Sequence, residues 1–255
     1  MGQFLLSPRG SGPAAVGEVT ALAAEEARHL KTVLRAEPGR ILDLTDGRGY
    51  RYTGRLRQGT DRRPEVEILT CFRDDQETRP PLLVLAVAVV KGRRFEWALE
   101  KACELGAHRI IPLRTEFTVV RPGEGKHGRW RTILTAALKQ SGRCLLPELT
   151  DVMSLAEALN TMTGFIGYGA SPGVERERGG QDVAGPLSPA VSGPFGELAV
   201  CIGPEGGWSG PELDLLVAAG AEPLDLGPHV LRTETAAVAS LVVLQERRRR
   251  MLAQA

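Results

Sequence analysis

Residues 201–212 read CIGPEGGWSGPE, and the fold turns on how this stretch is understood. An apolar run over 198–202 stops at Gly203 and gives way to Pro204, Glu205, Gly206, Gly207 and a second Gly-Pro pair. Glycines directly after a strand mark a place where something approaches the backbone closely. Pro211 suits the first residue of a helix, with Glu212 beside it in the favourable N-terminal turn. The spacing therefore predicts strand, loop and helix, the helix covering 211–219 and ending at Gly220. A short strand over 222–226 ends at Gly227, and a final helix begins near Thr233. Two glycine-terminated strand ends thus fall in successive βα units. Ligands of α/β domains bind at the carboxyl ends of strands, so both loops are expected to form one site.

Working upstream, residues 82–90 form a continuous apolar run of the kind a central parallel strand shows when buried on both faces. Helices are predicted at 94–105, 130–141 and 155–160, with strands at 109–112, 164–168 and 198–202. Between the last two strands, 171–196 holds 13 Gly, Pro or Ser residues among 26, the composition of a surface loop. The first 75 residues read differently. Strands at 40–45 and 51–56 flank the hairpin turn Asp46-Gly47, a third strand covers 65–69, and one helix lies at 25–34. This pattern predicts a small β-barrel over 1–75, a polar, proline-ended linker at 74–81, and an α/β domain over 80–255.

Composition excludes several classes. Charged residues make up 25% and apolar ones 42%, the profile of a soluble globular protein. The longest apolar run has 9 residues, too few to cross a bilayer, and the first residues lack the pattern of a secretory signal. Cys71, Cys103, Cys144 and Cys201 are widely spaced with no C-x-x-C pair. Neither a zinc site nor a disulfide framework is expected, and a reduced cytoplasmic setting is. No metal and no membrane association are predicted. Net charge is only +1, yet residues 91–143 carry a balance of +7 and 144–230 one of −10. Such segregation fits a face turned to a polyanion.

The glycine loops match neither a P-loop, since no Lys follows them, nor the dinucleotide fingerprint G-x-G-x-x-G. H-E-x-x-H and G-x-S-x-G are absent, which leaves metalloprotease and hydrolase readings without support. A glycine-proline loop free of basic residues suits a ligand without a large negative charge. The residues alone lead to an α/β enzyme with an uncharged or cationic ligand.

Several stretches, taken in order, carry a resemblance. They are "HLKTVLR" (29–35), the Asp46-Gly47 turn, "KGRRFEWALEKACELGAHRIIPLRTEFTVVR" (91–121), Arg129-Trp130, "QSGR" (140–143), "IGPEGGWSGPE" (202–212) and "LGPHVLRTETA" (226–236). Together they resemble the bacterial 16S ribosomal RNA uridine-N3 methyltransferases of the SPOUT superfamily. The resemblance implies a deep trefoil-knot methyltransferase domain and a PUA-like RNA-binding domain. It also implies S-adenosylmethionine as cofactor, 16S rRNA of the small ribosomal subunit as partner, and a homodimer formed through the knot and the C-terminal helix. Two departures stand out. His229 occupies a position where the family usually has Arg, and the 171–196 loop is longer and richer in Gly and Pro.

On this basis the cofactor is expected against Tyr168, Gly169, Ile202, Gly203, Glu205, Gly206, Gly207, Leu226, Gly227, Val230 and Leu231. Uridine N3 carries a proton at neutral pH, so a site must help remove it and stabilise charge spread over O2 and O4. Arg232 is the expected stabiliser, since its guanidinium is permanently charged and forks onto a carbonyl edge. Glu234 accepts the proton or holds Arg232, or else sits as a helix N-terminal carboxylate; Glu205 is the alternative acceptor or a loop-fixing group. The RNA face is expected to draw on Arg9, His29, Arg35, Lys91, Arg93, Arg121, Arg129, Gln140 and Arg143. Trp130 is expected in the core. Two other readings stay open: a methyltransferase acting on another base or RNA, and a non-catalytic RNA-binding protein.

Overall fold

The computed structural model describes residues 3–6, 10, 12–22, 24–32, 34–59, 64–119, 123, 125–169 and 196–254. Arg9, Arg121 and nearly all of the 171–196 loop lie outside the described residues. The chain forms two compact units: Met1–Arg79 with Thr135–Leu146, and Pro80–Leu134 with Pro147–Ala255.

The first unit is built on five strands: β1 (Phe4–Leu5), β2 (Val19–Ala21), β3 (Ile41–Thr45), β4 (Tyr50–Gln58) and β5 (Pro64–Arg73). Their order is β1-β3-β4-β5-β2, with β1 parallel to β3 and the other pairs antiparallel. An isolated bridge between Leu6 and Leu22 joins the two edge strands. Alternation along β3 and β4 sends Leu42, Leu44, Tyr52 and Leu56 to one face, where they meet Val66, Ile68 and Leu30 of helix α1 (Ala24–Thr32). Opposite Thr53/Gly54 the register shifts, leaving Leu69 of β5 as the extra residue, and a side chain on Gly54 would collide with Val66 and Leu44. Asp46 closes the β3–β4 turn, accepting hydrogen bonds from the amides of Arg48 and Tyr50 and the hydroxyl of Tyr52.

The stretch expected as a linker is instead ordered. Asp74 caps a helical turn, α2 (Asp75–Thr78), by accepting from the Gln76 amide. Glu77 then accepts from Arg51, Arg143 and the amides of Cys144 and Leu145, while Arg51 also reaches Asp74 at 2.7 Å. The carboxylates of α2 thereby hold residues 142–146 within the first unit. Polar composition alone does not distinguish a solvated linker from a paired cluster of this kind.

The second unit contains a seven-stranded sheet made of β6 (Leu82–Ala88), β7 (Arg109–Arg114), β8 (Glu148–Leu149), β9 (Met153–Ser154), β10 (Phe165–Gly169), β11 (Glu197–Ile202) and β12 (Glu222–Leu224). All its pairs are parallel, in the order β12-β10-β11-β6-β7-β8, with β9 also on β7. In β6, Leu83 to Ala88 are fully buried, each large side chain contributing about 1.5–3 kcal/mol by leaving water. Helices α3 (Arg93–Glu104), α4 (Lys126–Ser141), α5 (Leu155–Leu159), α6 (Gly210–Ala218) and α7 (Thr233–Gln254) connect and follow the strands. α3 buries Phe95, Ala98, Leu99, Ala102 and Cys103, a stripe at helical spacing. Trp130 is buried, its ring 4.7 Å from that of Phe95. α7 packs on α3, β6 and β11. It buries Ala237, Ser240, Leu241, Leu244 and Arg248, while Val242 is half exposed. No helix among the described residues is long and apolar enough to cross a membrane.

The sheet order decides where a site can form. β11, β10 and β12 are neighbours, with Tyr168 beside Cys201 and Gly169 beside Leu224. The strand ends at Gly169, Ile202 and Leu224 therefore lie side by side at one edge of the sheet, although they are far apart in the chain.

Candidate active site

Those three strand ends enclose a cleft lined by Gly169, Ile202, Gly203, Pro204, Glu205, Gly207, Trp208, Leu226, Gly227, His229, Val230, Leu231, Thr233 and Ala236. Among the described residues its lining contains no Lys or Arg, and Glu205 is its carboxylate.

Two hydrogen bonds between distant residues shape the cleft. The indole Nε1 of Trp208 donates to the Gly169 carbonyl at 3.1 Å, and the Thr233 hydroxyl donates to the Gly203 carbonyl at 3.1 Å. Trp208 lies against Gly203, where a Cβ would stand 3.2 Å from the indole. Gly203 is thus small to admit a protein side chain as well as to bare its backbone. Gly227, with φ of +105° and open space where a Cβ would be, has a conformation that L side chains rarely adopt. The loop after β11 is fixed from its far end too. Ser209 donates through its amide and hydroxyl to Glu212 Oε2, and Glu212 Oε1 accepts from the amide of Glu116. This capping arrangement ties α6 to the segment that follows β7.

Most residues expected around the cofactor meet in this cleft: Gly169, Ile202, Gly203, Glu205, Gly207, Leu226, Gly227, Val230 and Leu231. Two do not line it. Tyr168 is buried in the hydrophobic core among Ile166, Ala199 and Cys201, because it points to the face of β10 that packs inward. Gly206 is exposed and stands against Phe117, where an added Cβ would lie 3.1 Å from the phenylalanine Cβ. Glu205 forms an ion pair with Arg94 of α3. Trp208 and Thr233 also line the cleft and Phe117 backs Gly206, roles their local sequence does not assign. An aromatic directly after a glycine pair was the available signal for Trp208; nothing local marked Phe117.

Glu234 lies elsewhere. It is 9% exposed, and its Oε2 is shielded from water with no hydrogen-bond partner. It lines a second, shallow hollow together with Arg93, Arg94, Trp97 and Thr235. Arg232 is exposed, lines neither cavity, and makes no side-chain hydrogen bond or ion pair among the described residues.

Of the residues expected at an RNA face, Lys91, Arg93 and Arg129 are exposed in the second unit. Arg129 forks onto Glu96 at 2.6 and 2.8 Å, and this hydrogen bonding holds the Glu96 carboxyl below its ordinary value. In the first unit His29, Arg35 and Gln140 are exposed. Arg35 has φ of +44°, an uncommon conformation for a non-glycine residue. Arg143 corrects the expectation: it is 6% exposed and bonded to Glu77, so its charge is spent inside the protein. The cysteines are free, and burial pushes the Cys201 thiol up to about 12. Asp74, Glu77 and Cys144 lie close enough to one another to hold a cation, but the carboxylates already face the guanidinium groups of Arg51 and Arg143.

A parallel sheet with a glycine-lined cleft, free of Lys and Arg, at adjacent strand ends defines an α/β protein with a candidate ligand site of bared backbone. A family model described as an RNA methyltransferase domain matches residues 77–245, one described as an RNA methyltransferase PUA domain matches residues 22–69, and the chain belongs to this RNA methyltransferase family. It is 32% identical over 230 residues to the ribosomal RNA small subunit methyltransferase E of Mycobacterium tuberculosis, covering 88% of this chain and 85% of that one. The protein of the same name from Bacillus subtilis is 29% identical over 227 residues, covering 85% and 86%. In three dimensions the chain is similar to a ribosomal RNA small subunit methyltransferase E from Neisseria gonorrhoeae bound to S-adenosyl methionine. That match has a TM-score of 0.79 and 31% identity, and covers 97% of this chain and 98% of the other.

Proposed function

We propose that this protein transfers a methyl group from S-adenosylmethionine to N3 of a specific uridine in 16S rRNA of the small ribosomal subunit. The observation that carries the reading is the convergence of the end of β10 and the loops after β11 and β12 on one cleft. Its lining fits the cofactor: backbone is bared at Gly203, Gly207 and Gly227, apolar walls come from Leu226, Val230 and Leu231, and no cation opposes a sulfonium. When bound, S-adenosylmethionine supplies an electrophilic methyl group. The relatives' names and the cofactor bound in the Neisseria gonorrhoeae structure support the same assignment.

In this reading Arg232, exposed between the cleft residues Leu231 and Thr233, stabilises the charge that develops on the uridine carbonyls. Glu234 takes the N3 proton on its unpartnered Oε2. Glu205, held by Arg94, positions the loop after β11. N3 lies on the Watson–Crick edge, so the base must be unpaired to be reached. Residues 1–75 act as a PUA-like barrel that binds RNA, and the Leu6–Leu22 bridge between its edge strands supports closure. His29, Arg35, Lys91, Arg93, Arg129 and Gln140 form the RNA-contacting set, with Arg143 supporting it from within. The strained backbone at Arg35 supports a role for that side chain.

Residues 80–255 form a SPOUT trefoil knot. Support comes from the path after edge strand β12, which returns to a helix packed on the central strands β6 and β11. The protein works as a cytoplasmic homodimer through the knot and α7, where Val242 remains exposed. The decisive experiment deletes the gene, maps modified nucleotides of small-subunit rRNA by mass spectrometry, and restores the mark with purified protein and S-adenosylmethionine. Full retention of N3-methyluridine in the deletion strain overturns the proposal.

A further inference from the structure

The hollow beside the cofactor cleft has a lining that no part of the fold requires. Trp97 lies on α3 and is 42% exposed, although the opposite stripe of that helix is buried. A large aromatic left open to solvent in one hollow with two arginines is an unusual surface for a helix to keep. Arg93, beside it, makes no ion pair at bonding distance among the described residues. The wall is completed by Thr235 and by Glu234, whose Oε2 is buried without a partner. The hollow and the cleft share a partition. Arg94 of the hollow pairs with Glu205 of the cleft, and Thr233 of the cleft is followed directly by Glu234 of the hollow.

These groups form a chemical pattern. An aromatic face stacks any nucleobase. Guanidinium groups donate to carbonyl oxygens or phosphates, and an unpartnered carboxylate oxygen wants one N–H donor. The Watson–Crick edge of uracil reads acceptor, donor, acceptor, with N3–H its single donor between two carbonyls. Cytosine presents a ring acceptor at that position and no N–H there. In that register the hollow complements uracil; cytosine sets an acceptor against the carboxylate and supplies a donor only by shifting its N4 amino group into place.

We propose that the Arg93–Arg94–Trp97–Glu234–Thr235 hollow is the receiving site for the splayed-out uracil of the RNA substrate, stacked on Trp97 with N3–H on Glu234. This rests on the methyltransferase reading above and adds to it where the base lies and what selects it. It also predicts that the product leaves readily: a methyl group on N3 removes the only donor Glu234 can use.

The test uses the full-length protein and three labelled decamers: oligouridylate, oligo-N3-methyluridylate and oligocytidylate. Binding is read by fluorescence anisotropy, with calorimetric titration of S-adenosylmethionine and sedimentation velocity on every variant. The parent should prefer oligouridylate over both other oligomers by about tenfold, a fraction of what one stacked and hydrogen-bonded base supplies. Trp97→Ala should weaken oligouridylate binding about tenfold and Trp97→Phe far less, since the aromatic face remains. Glu234→Leu should erase the preference for uridine over N3-methyluridine. Cofactor affinity and oligomeric state should not change in any variant that folds. Unchanged affinity in Trp97→Ala, or a preference that survives Glu234→Leu, overturns the proposal. So does loss of RNA affinity that accompanies dissociation to a smaller species, which would make a second copy of this chain the occupant. If the preferences hold but no methyl reaches RNA, the receiving site stands and the methyltransferase reading falls. If methyl transfer occurs while both substitutions leave binding untouched, the reverse is true.

Discussion

The indole of Trp208 donates to the carbonyl of Gly169 across 39 positions of the chain, and it does so because Gly203 has no side chain. One hydrogen bond thereby ties the loop after β11 to the end of the neighbouring strand β10. Replacing Trp208 with Phe keeps an aromatic wall but removes the donor, leaving the carbonyl to water. A net hydrogen bond is worth about 0.5–1.5 kcal/mol, so S-adenosylmethionine affinity should fall roughly three- to tenfold. Isothermal titration of Trp208→Phe against the parent checks this, and equal affinities would show that the loop after β11 holds its position without it.

Gly227 and Gly206 are predicted to differ although both belong to glycine loops. Gly227→Val forces a branched residue to φ near +105° at the cleft wall and should abolish measurable cofactor binding. Gly206→Val meets Phe117 rather than the cleft, so it should lower thermal stability and weaken the cofactor less. The two variants are separated by pairing calorimetric affinity with a melting curve. The reverse ranking would place the ligand over Gly206.

Arg232 is exposed and makes no ion pair among the described residues, so removing it should not disturb the fold. Arg232→Ala is expected to slow methyl transfer about a hundred- to thousandfold, the usual cost of deleting one charge-stabilising donor. Cofactor and RNA affinities should change little, because only interactions stronger in the transition state act on the chemical step. Lys should restore part of the rate. Single-turnover measurements at saturating cofactor and RNA isolate that step, and a rate near the parent's would make Arg232 dispensable.

Arg143 is a different arginine. Its side chain is almost wholly inside and shares Glu77 with Arg51. Breaking a buried pair from one side costs about 3 kcal/mol or more, so Arg143→Ala should lower the melting temperature by several degrees. The salt dependence of RNA binding should keep the parent's slope, whereas Arg35→Ala should flatten it. A flattened slope with normal stability in Arg143→Ala would return this residue to the RNA face.

Acid should loosen the same cluster. Burial raises the Asp74 carboxyl, but the hydrogen bond and charge of Arg51 and the amides of Glu77 and Gln76 outweigh it, and the group titrates below its ordinary value. A carboxyl depressed in the folded state adds stability above its unfolded value, about 3.9, and loses it as the pH falls through the folded value. Asp74→Asn should therefore be less stable than the parent at pH 6, with the gap closing toward pH 3. Melting curves at both values check this; a constant gap would mean that Asp74 contributes no proton linkage.

Local chemistry made much of this protein legible from its sequence. The continuous apolar run that became β6, the 3.6-residue stripe of α3 and the Gly-Pro starts and stops around α6 each report a backbone preference acting within a few residues, and helices and strands fell close to where those signals put them. The glycine directly after β11 marked one wall of the cleft for the same reason, whereas β12 stops at Leu224, short of the Gly227 expected to end it. What tertiary structure decided were relationships between residues distant in sequence. Strand order brought Gly169 beside Leu224 and so made one strand end and two loops into one cleft. Packing turned Tyr168 inward and set Phe117 against Gly206. Pairing to Glu77 took Arg143 out of solvent, and the facing of α3 and α7 put Glu234 in a hollow with Trp97 instead of in the cleft. A charge or an aromatic ring has the same local signature whether it ends in water, in the core or against a ligand. Its partners are chosen by the register of the sheet and the packing of helices, which the neighbouring residues in the chain do not encode.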